Sequence, residues 1–177
     1  MNLKMKVPIL NRTLKSIIPI AILLCLFIGC VHIPLHPLPS SVHTVYVQMF
    51  KNQSFQYGME ERLTNAIIKE LIADRRLRVV NSPEQADAIL SGTILNYTRD
   101  VLAFDRDGDV EMYTLALTAS FVLEDSRTNE IIRQRKTVLA NTTYIPKRSR
   151  IEFETEQEAR YRLLPDLADE IVNRIFE

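Results

Sequence analysis

The segment from Val110 to Glu124 constrains the fold of this chain more than any other stretch, because its side chains alternate in polarity. One parity consists of Tyr113, Leu115, Leu117, Ala119, Phe121 and Leu123. The other consists of Met112, Thr114, Ala116, Thr118 and Ser120. Successive side chains of a strand point to opposite faces, so the pattern predicts a sheet with one face on a core and one turned outward.

Two further strands complete an antiparallel meander around this segment. We expect them over residues 88–99 and 131–144, from their β-branched and aromatic content. In the first, the predicted faces are Ile94 with Asn96, and Leu95 with Tyr97. The connection at 105–109 contains Asp-Gly and predicts a hairpin turn. A calcium loop starting at Asp105 is disfavoured, because Val110 and Ala116 stand where glycine and glutamate are required.

The N-terminal half predicts a strand–helix–strand unit with parallel strands. A first strand over 44–50 is followed by a polar turn at 51–54, a helix from Met59 to Asp74 and a second strand over 77–80. Met59, Leu63, Ala66, Ile67 and Leu71 form the apolar stripe of the helix. A helical turn then follows, with Ser82 as N-cap, Pro83 at the first position and Gln85 closing a capping box.

A C-terminal helix ends the chain. Thr155 and Glu158 have the spacing of a capping box, and Pro165 is expected to kink the helix or split it in two. The core stripe is Leu163, Leu167, Ile171 and Ile175. The predicted class is α+β: two helices on one face of a mixed, mostly antiparallel sheet of about four to five strands, in β-α-β-β-β-β-α order.

The first 29 residues have the parts of a secretory signal. Basic residues precede an apolar run from Ile17 to Ile28, and Gly29 is a small residue at the expected cleavage site. The run Phe27-Ile28-Gly29-Cys30 resembles a bacterial lipobox, although leucine is usual where Phe27 stands. The resemblance implies that Cys30 becomes the mature N-terminus and carries diacylglyceryl and N-acyl (palmitate) groups, which anchor the protein firmly. An ordinary signal, or an uncleaved anchor, is the alternative.

Residues 30–42 are interpreted as the lipidated N-terminus and a proline-rich tether, and residues 43–177 as a single domain. His32 and His36 have the spacing of a helical metal pair, but the prolines around them favour a tether without a metal. Val31 follows Cys30, where an aspartate favours retention at the inner membrane. Its absence favours the outer membrane, on the periplasmic side.

Composition excludes several classes of function. Without residues 1–29 the chain has 18 basic and 22 acidic residues, from 22 of each in the whole sequence less four basic ones, a net charge of −4. That charge argues against a general nucleic-acid role. If Cys30 is lipidated, no free thiol remains, which excludes thiolate catalysis and thiolate metal sites. We find no catalytic constellation, and we expect neither an enzyme nor a bound metal.

Two features suggest binding. One is the outward strand face, which is rich in threonine, serine and alanine. The other is a basic group, proposed from charge alone as a site for an anionic ligand: Arg133, Arg135, Lys136, Lys147, Arg148 and Arg150. A solvated edge strand explains the same basic residues equally well, because lysine and arginine at an edge discourage aggregation.

Several segments resemble the LptE family of outer-membrane lipoproteins. They are residues 47–54, 63–67, 76–80, 86–94 and 167–172. The resemblance implies a non-enzymatic protein of a Gram-negative cell envelope, which plugs an LptD-like β-barrel and takes part in lipopolysaccharide transport. The alternative is a periplasm-facing lipoprotein that activates a peptidoglycan synthase or forms part of a secretion channel.

Overall fold

The computed structural model describes residues 38–146 and 155–177. Its strands are β1 (Thr44–Val47), β2 (Lys51–Asn52), β3 (Arg78–Val79), β4 (Ala88–Phe104), β5 (Val110–Asp125) and β6 (Ile131–Tyr144). Its helices are α1 (Met59–Asp74) and α2 (Glu156–Phe176), and a 3-10 turn covers Pro83–Gln85. Apart from the short β2, the order of elements is the predicted one. The predicted signal peptide, Cys30 and the loop at 147–154 lie outside the described residues.

The strands form one mixed sheet in the order β3-β1-β4-β5-β6, and β2 pairs with β4 along the edge that β1 also uses. β1 is parallel to β3 and to β4, as the strand–helix–strand unit predicts. β4, β5 and β6 form the predicted antiparallel meander. Both helices pack on one face of the sheet, so the predicted α+β class is confirmed.

The N-terminal strand is interrupted, which the sequence did not predict. β1 ends at Val47, and pairing with β4 resumes in β2, where Lys51 lies opposite Thr93. The prediction of one strand to residue 50 and a turn at 51–54 was therefore wrong. An apolar run shows that a segment is buried, but it does not show where the backbone leaves the ladder.

Phe50 lies at this interruption and fills the core above β4. Its side chain is 1% exposed, and its ring lies against Gly92. Its backbone N–H donates to the Thr64 hydroxyl at 3.0 Å, and that hydroxyl donates to the Glu60 carbonyl oxygen at 2.7 Å. The residue therefore ties the interruption both to the centre of the sheet and to α1.

A bulge in β4 changes which side chains share a face. Ile94 is paired with Ala119 and Asn96 with Thr118, so Leu95 is an extra residue. Ala119 is buried and Thr118 has the opposite parity on β5, so Ile94 enters the core and Asn96 lies on the other face. The prediction that Ile94 and Asn96 share a face was wrong, because it assumed an uninterrupted two-residue period.

The helices begin and end for identifiable reasons. α1 starts after Gly58, which has a φ of 81°, and ends at Arg75, whose N–H donates to the Leu71 carbonyl oxygen at 3.2 Å. α2 starts with the predicted capping box: Thr155 Oγ1 accepts from the Glu158 N–H, and the Glu158 carboxylate accepts from the Thr155 N–H.

Two predictions about helical segments are settled by the structure. α2 runs through Pro165 as one helix of 21 residues, so the proline does not split it. The capping box predicted for Ser82 and Gln85 is absent, because the segment is a three-residue 3-10 turn in which Ser82 makes no side-chain cap. Pro83 occupies its first position as expected.

Asp87 joins the start of β1 to the start of β4. Its Oδ2 accepts from the backbone N–H groups of His43 at 3.1 Å and Thr44 at 3.0 Å, and from the Thr44 hydroxyl at 2.8 Å. The hydrogen bond from the His43 N–H, followed by that from the Thr44 hydroxyl, holds the pKa of Asp87 below its ordinary value.

We expect Asp87→Asn to lower the free energy of unfolding by about 1–2 kcal/mol near neutral pH, because a neutral amide accepts weaker hydrogen bonds than a carboxylate. A depressed pKa stabilises the fold above the unfolded value of about 3.9, and this contribution is lost as the pH falls through the folded value. Urea unfolding of both proteins from about pH 7 to about pH 3 should show a difference that shrinks below about pH 4. A difference that stays constant across that range would contradict this role.

A second prediction concerns Gly92. A Cβ at this position would lie 2.6 Å from Phe50 Cζ and 2.5 Å from the Ser120 carbonyl oxygen, which is held in the sheet. We expect Gly92→Ala to lower the free energy of unfolding by about 2–3 kcal/mol, measured by urea denaturation. The control is Thr93→Ala, with an expected loss below about 1 kcal/mol. Equal decreases in the free energy of unfolding for the two variants would show that the Phe50 ring can move aside without destabilising the fold.

Candidate interaction surfaces

The sheet has an open face on the side opposite the two helices. We use this name for the outward residues of β5 and their register partners in β4 and β6. They are Thr114, Ala116, Thr118, Ser120 and Val122 in β5; Ser91, Thr93, Asn96, Thr98 and Asp100 in β4; and Gln134, Leu139, Asn141 and Thr143 in β6. The outward parity predicted for β5 is confirmed. The ionisable residues on this side of β4 and β5 include Asp100, within the set, and Glu124, which has the same parity as Val122 at the end of β5. A broad face of small and mostly uncharged side chains suits contact with another protein surface.

Two residues of the predicted basic group contact the end of α2. Arg133 Nε donates to the Ile175 carbonyl oxygen at 3.3 Å, and the Arg135 guanidinium lies 3.7 Å from the carboxylate of Glu177. The two arginines share a strand face, as predicted, and it is the face that packs on the helices, since they pair with core residues of β5. Cations at a helix C-terminus oppose the negative end of its dipole, so both have a structural role there.

The rest of the basic group lies elsewhere. Lys136 is exposed, and it lies with Thr137 in a second bulge, where these two residues oppose Ser120. Lys147, Arg148 and Arg150 lie outside the described residues. The anionic site proposed from the sequence therefore stays a prediction.

The start of α2 is fastened to the meander by a polar and aromatic cluster. Tyr97 donates from its hydroxyl to Glu156 Oε1 at 2.9 Å, and Arg99 forms an ion pair with the same carboxylate. The Arg99 guanidinium lies 5.0 Å from the ring centroid of Tyr113, which stacks on Tyr144 at 5.4 Å. Burial, followed by the neighbouring carboxylate, raises the pKa of the Tyr97 hydroxyl, so it remains a donor to Glu156 at physiological pH.

Beyond this cluster, β4 and β5 continue as a two-stranded ribbon. The β6 partner of β5 ends at Tyr144 opposite Tyr113, and from Val101, which pairs with Tyr113 on the other side, β4 carries exposed apolar side chains. Val101, Leu102 and Phe104 are 44%, 55% and 62% exposed. Asp105 closes the ribbon by accepting from the N–H groups of Asp107 and Asp109, which is the predicted hairpin turn.

A third surface is the connection from β2 to α1, residues 53–58, which we call the aromatic loop. Phe55 and Tyr57 extend from it into solvent, with exposed fractions of 103% and 97%. Phe55 has a φ of 61°, in the left-handed region that a bulky residue rarely adopts.

The aromatic loop is held by the side chain of Asn52. Its Nδ2 donates to the Gln56 carbonyl oxygen and to Glu60 Oε2, both at 2.7 Å. Its Oδ1 accepts from the Ser54 N–H at 2.9 Å and from the Ser54 hydroxyl at 2.7 Å. Both donors and both acceptor positions of the amide are therefore in use.

Sequence reasoning missed the aromatic loop, because it assigned residues 51–54 to a polar turn and did not consider the residues that follow. A signal was present. Phe55 and Tyr57 alternate with glutamine just before Gly58 and fit neither a strand nor a helix stripe. Aromatic residues outside any core pattern are candidates for an interface.

The described residues offer no metal-binding group of three or more histidine, cysteine, aspartate or glutamate side chains. Among the helices at 38–146 and 155–177, none is long and apolar enough to cross a membrane.

The sequence profile of the LptE family, described as lipopolysaccharide assembly, matches residues 42–175. The match runs from just before β1 to the last turn of α2, which is the whole of the described α+β fold. The chain belongs to the LptE family. This confirms the resemblance noted in the sequence. The LptE family is one of non-enzymatic envelope lipoproteins of lipopolysaccharide assembly.

Among solved structures, two with TM-scores above 0.5 share the α+β fold with this chain. A variant of the PelC dodecamer from Paraburkholderia phytofirmans has a TM-score of 0.52 at 13% identity, over 80% of this chain and 95% of that one. A protein from Xanthomonas campestris also has a TM-score of 0.52, at 11% identity, over 77% and 87%. A minor lipoprotein from Acinetobacter baumannii has a TM-score of 0.48 at 20% identity, over 76% and 91%. The comparison of this chain with curated proteins gave no match.

Proposed function

We propose that this LptE-family protein is an outer-membrane lipoprotein that plugs an LptD-type β-barrel, helps it to assemble and aids insertion of lipopolysaccharide into the outer leaflet. The observation that carries the proposal is the family match over residues 42–175, which extends from just before β1 to the last turn of α2. The open face supports it, because a plug needs a wide surface that can lie against a protein wall while burying little charge.

Membrane attachment in this proposal comes from acyl chains on Cys30. Several chains at about 0.8 kcal/mol per buried methylene give stable anchoring. Residues 30–37 then link the lipid to Leu38, which packs against the core, and to Val42, which is buried in it. The domain would stand on the periplasmic side of the outer membrane, within reach of a barrel in the same membrane.

The proposed contacts to the phosphates of lipopolysaccharide are the six basic residues named in the sequence analysis. Phosphate oxygens accept strong hydrogen bonds from lysine and from arginine in particular. Arg133 and Arg135 also contact the end of α2, so their substitution is expected to affect stability as well as binding. The four others offer the cleaner test.

The partner is tested by isolating the full-length lipoprotein from outer membranes in a mild detergent, through a C-terminal tag, and identifying what accompanies it by mass. We expect one large barrel protein of the LptD type at equal stoichiometry. Recovery of a peptidoglycan synthase, or of a homo-oligomeric ring without a barrel, would contradict the proposal and favour the alternative class.

The lipid contact is tested with purified lipopolysaccharide and the full-length protein. Alanine at Lys136, Lys147, Arg148 and Arg150 together should weaken binding by about tenfold or more, and the wild-type affinity should fall with added salt. Arg133→Ala should also lower the free energy of unfolding by about 1 kcal/mol, because α2 loses a contact at its C-terminus. Unchanged affinity in the fourfold variant would remove these residues from the proposed site.

A further inference from the structure

We propose that the aromatic loop is a docking element that inserts Phe55 and Tyr57 into an uncharged pocket on the barrel partner. The inference rests on the proposed function for the identity of the partner and goes beyond it by naming the surface and its chemistry. Two aromatic side chains that are 103% and 97% exposed expose a large apolar area to water, and such side chains dominate the energetics of protein interfaces.

The loop is ordered before any partner binds. The Asn52 amide makes four hydrogen bonds to Gln56, Glu60 and Ser54, and Ser54 itself is 6% exposed. Asn52 in turn belongs to β2, and the Gln53 N–H donates to the Ile94 carbonyl oxygen of β4 at 2.9 Å. A loop fixed in this way loses little conformational entropy on binding.

The backbone of Phe55 points to the same role. Its φ of 61° is unfavourable for a bulky residue, and in this conformation the ring projects fully into solvent. Folding gains nothing from the burial of this ring. Strain of this kind persists where the surrounding structure imposes it and is concentrated at functional sites.

Charge around the loop favours a protein pocket over a lipid surface. Residues 53–58 contain no ionisable acid or base other than the Tyr57 phenol. Glu60 accepts from Asn52, and Arg160 donates to the Gln56 side chain, so these two charged groups are engaged within the domain. Lys51 and Arg62 are exposed on either side of the loop, but anionic membranes are bound by clusters of about four to eight lysine and arginine residues. An amide and hydroxyl rim around aromatic residues is typical of protein interfaces.

The test measures binding of the full-length lipoprotein to the purified LptD-type barrel of the same bacterium in mild detergent. We expect the double substitution Phe55→Ala and Tyr57→Ala to raise the dissociation constant for the barrel by at least about 30-fold. The matched control is Ile72→Ala with Ile131→Ala, two apolar side chains that are 60% and 54% exposed outside the loop; its affinity should stay within about twofold of wild type.

A second measurement does not depend on how these substitutions affect folding. p-Benzoylphenylalanine placed at position 55 of the full-length protein should cross-link to the barrel upon irradiation in cells, and the same residue at position 72 should not. Cross-linking from position 55 to lipid alone, or to a protein other than the barrel, would overturn the inference.

The outcomes separate the two proposals. If the wild-type protein does not bind the barrel, both the proposed function and the docking role fail. If the wild-type protein and the Phe55, Tyr57 double variant bind the barrel equally well, the function stands and the docking role alone is overturned.

Discussion

The contact between the Phe50 ring and Gly92 is the constraint on which the rest of this fold depends. It lies where the N-terminal strand leaves the sheet, and it lets a phenylalanine enter the core directly above the backbone of β4. The same residue binds α1 through the Thr64 hydroxyl. Because the chain re-enters the sheet as β2 immediately afterwards, this contact also fixes where Asn52 stands, and hence the position of the aromatic loop.

The two faces of the sheet have different roles: one packs against the helices and stabilises the fold, and the other is open for contact. The helices bury the apolar parity of β5, and charged groups on that side serve the helices themselves, as Arg133 does at the end of α2. The opposite face carries hydroxyl, amide and small apolar side chains. A domain built in this way can form a large interface while removing little charge from water.

Much of this fold was predictable from local pattern. The alternation in β5, the apolar stripe of α1 and the Thr155–Glu158 capping box each depend on residues close in sequence, and the structure confirms all three. The misses have a common physical cause. The bulge at Leu95 depends on the pairing of β4 with β5 around Ala119, and the interruption after Val47 depends on the contact of Phe50 with Gly92. Neither contact can be predicted from the local spacing of apolar residues. The same distinction holds for the surfaces. The open face was predictable from the alternation in β5, whereas the contacts of Arg133 and Arg135 with the end of α2 could be seen only in the tertiary structure.

In the proposed complex, the domain presents the preordered aromatic loop to a protein partner. Amide hydrogen exchange of the full-length protein, alone and in complex with the barrel, tests this most directly. We expect slowed exchange at Ser54 and Gln56 in the free protein, since both N–H groups donate within the loop, and further slowing across residues 53–58 in the complex. Exchange in the free protein as fast as in an unfolded chain, or no change in the loop upon complex formation, would contradict it.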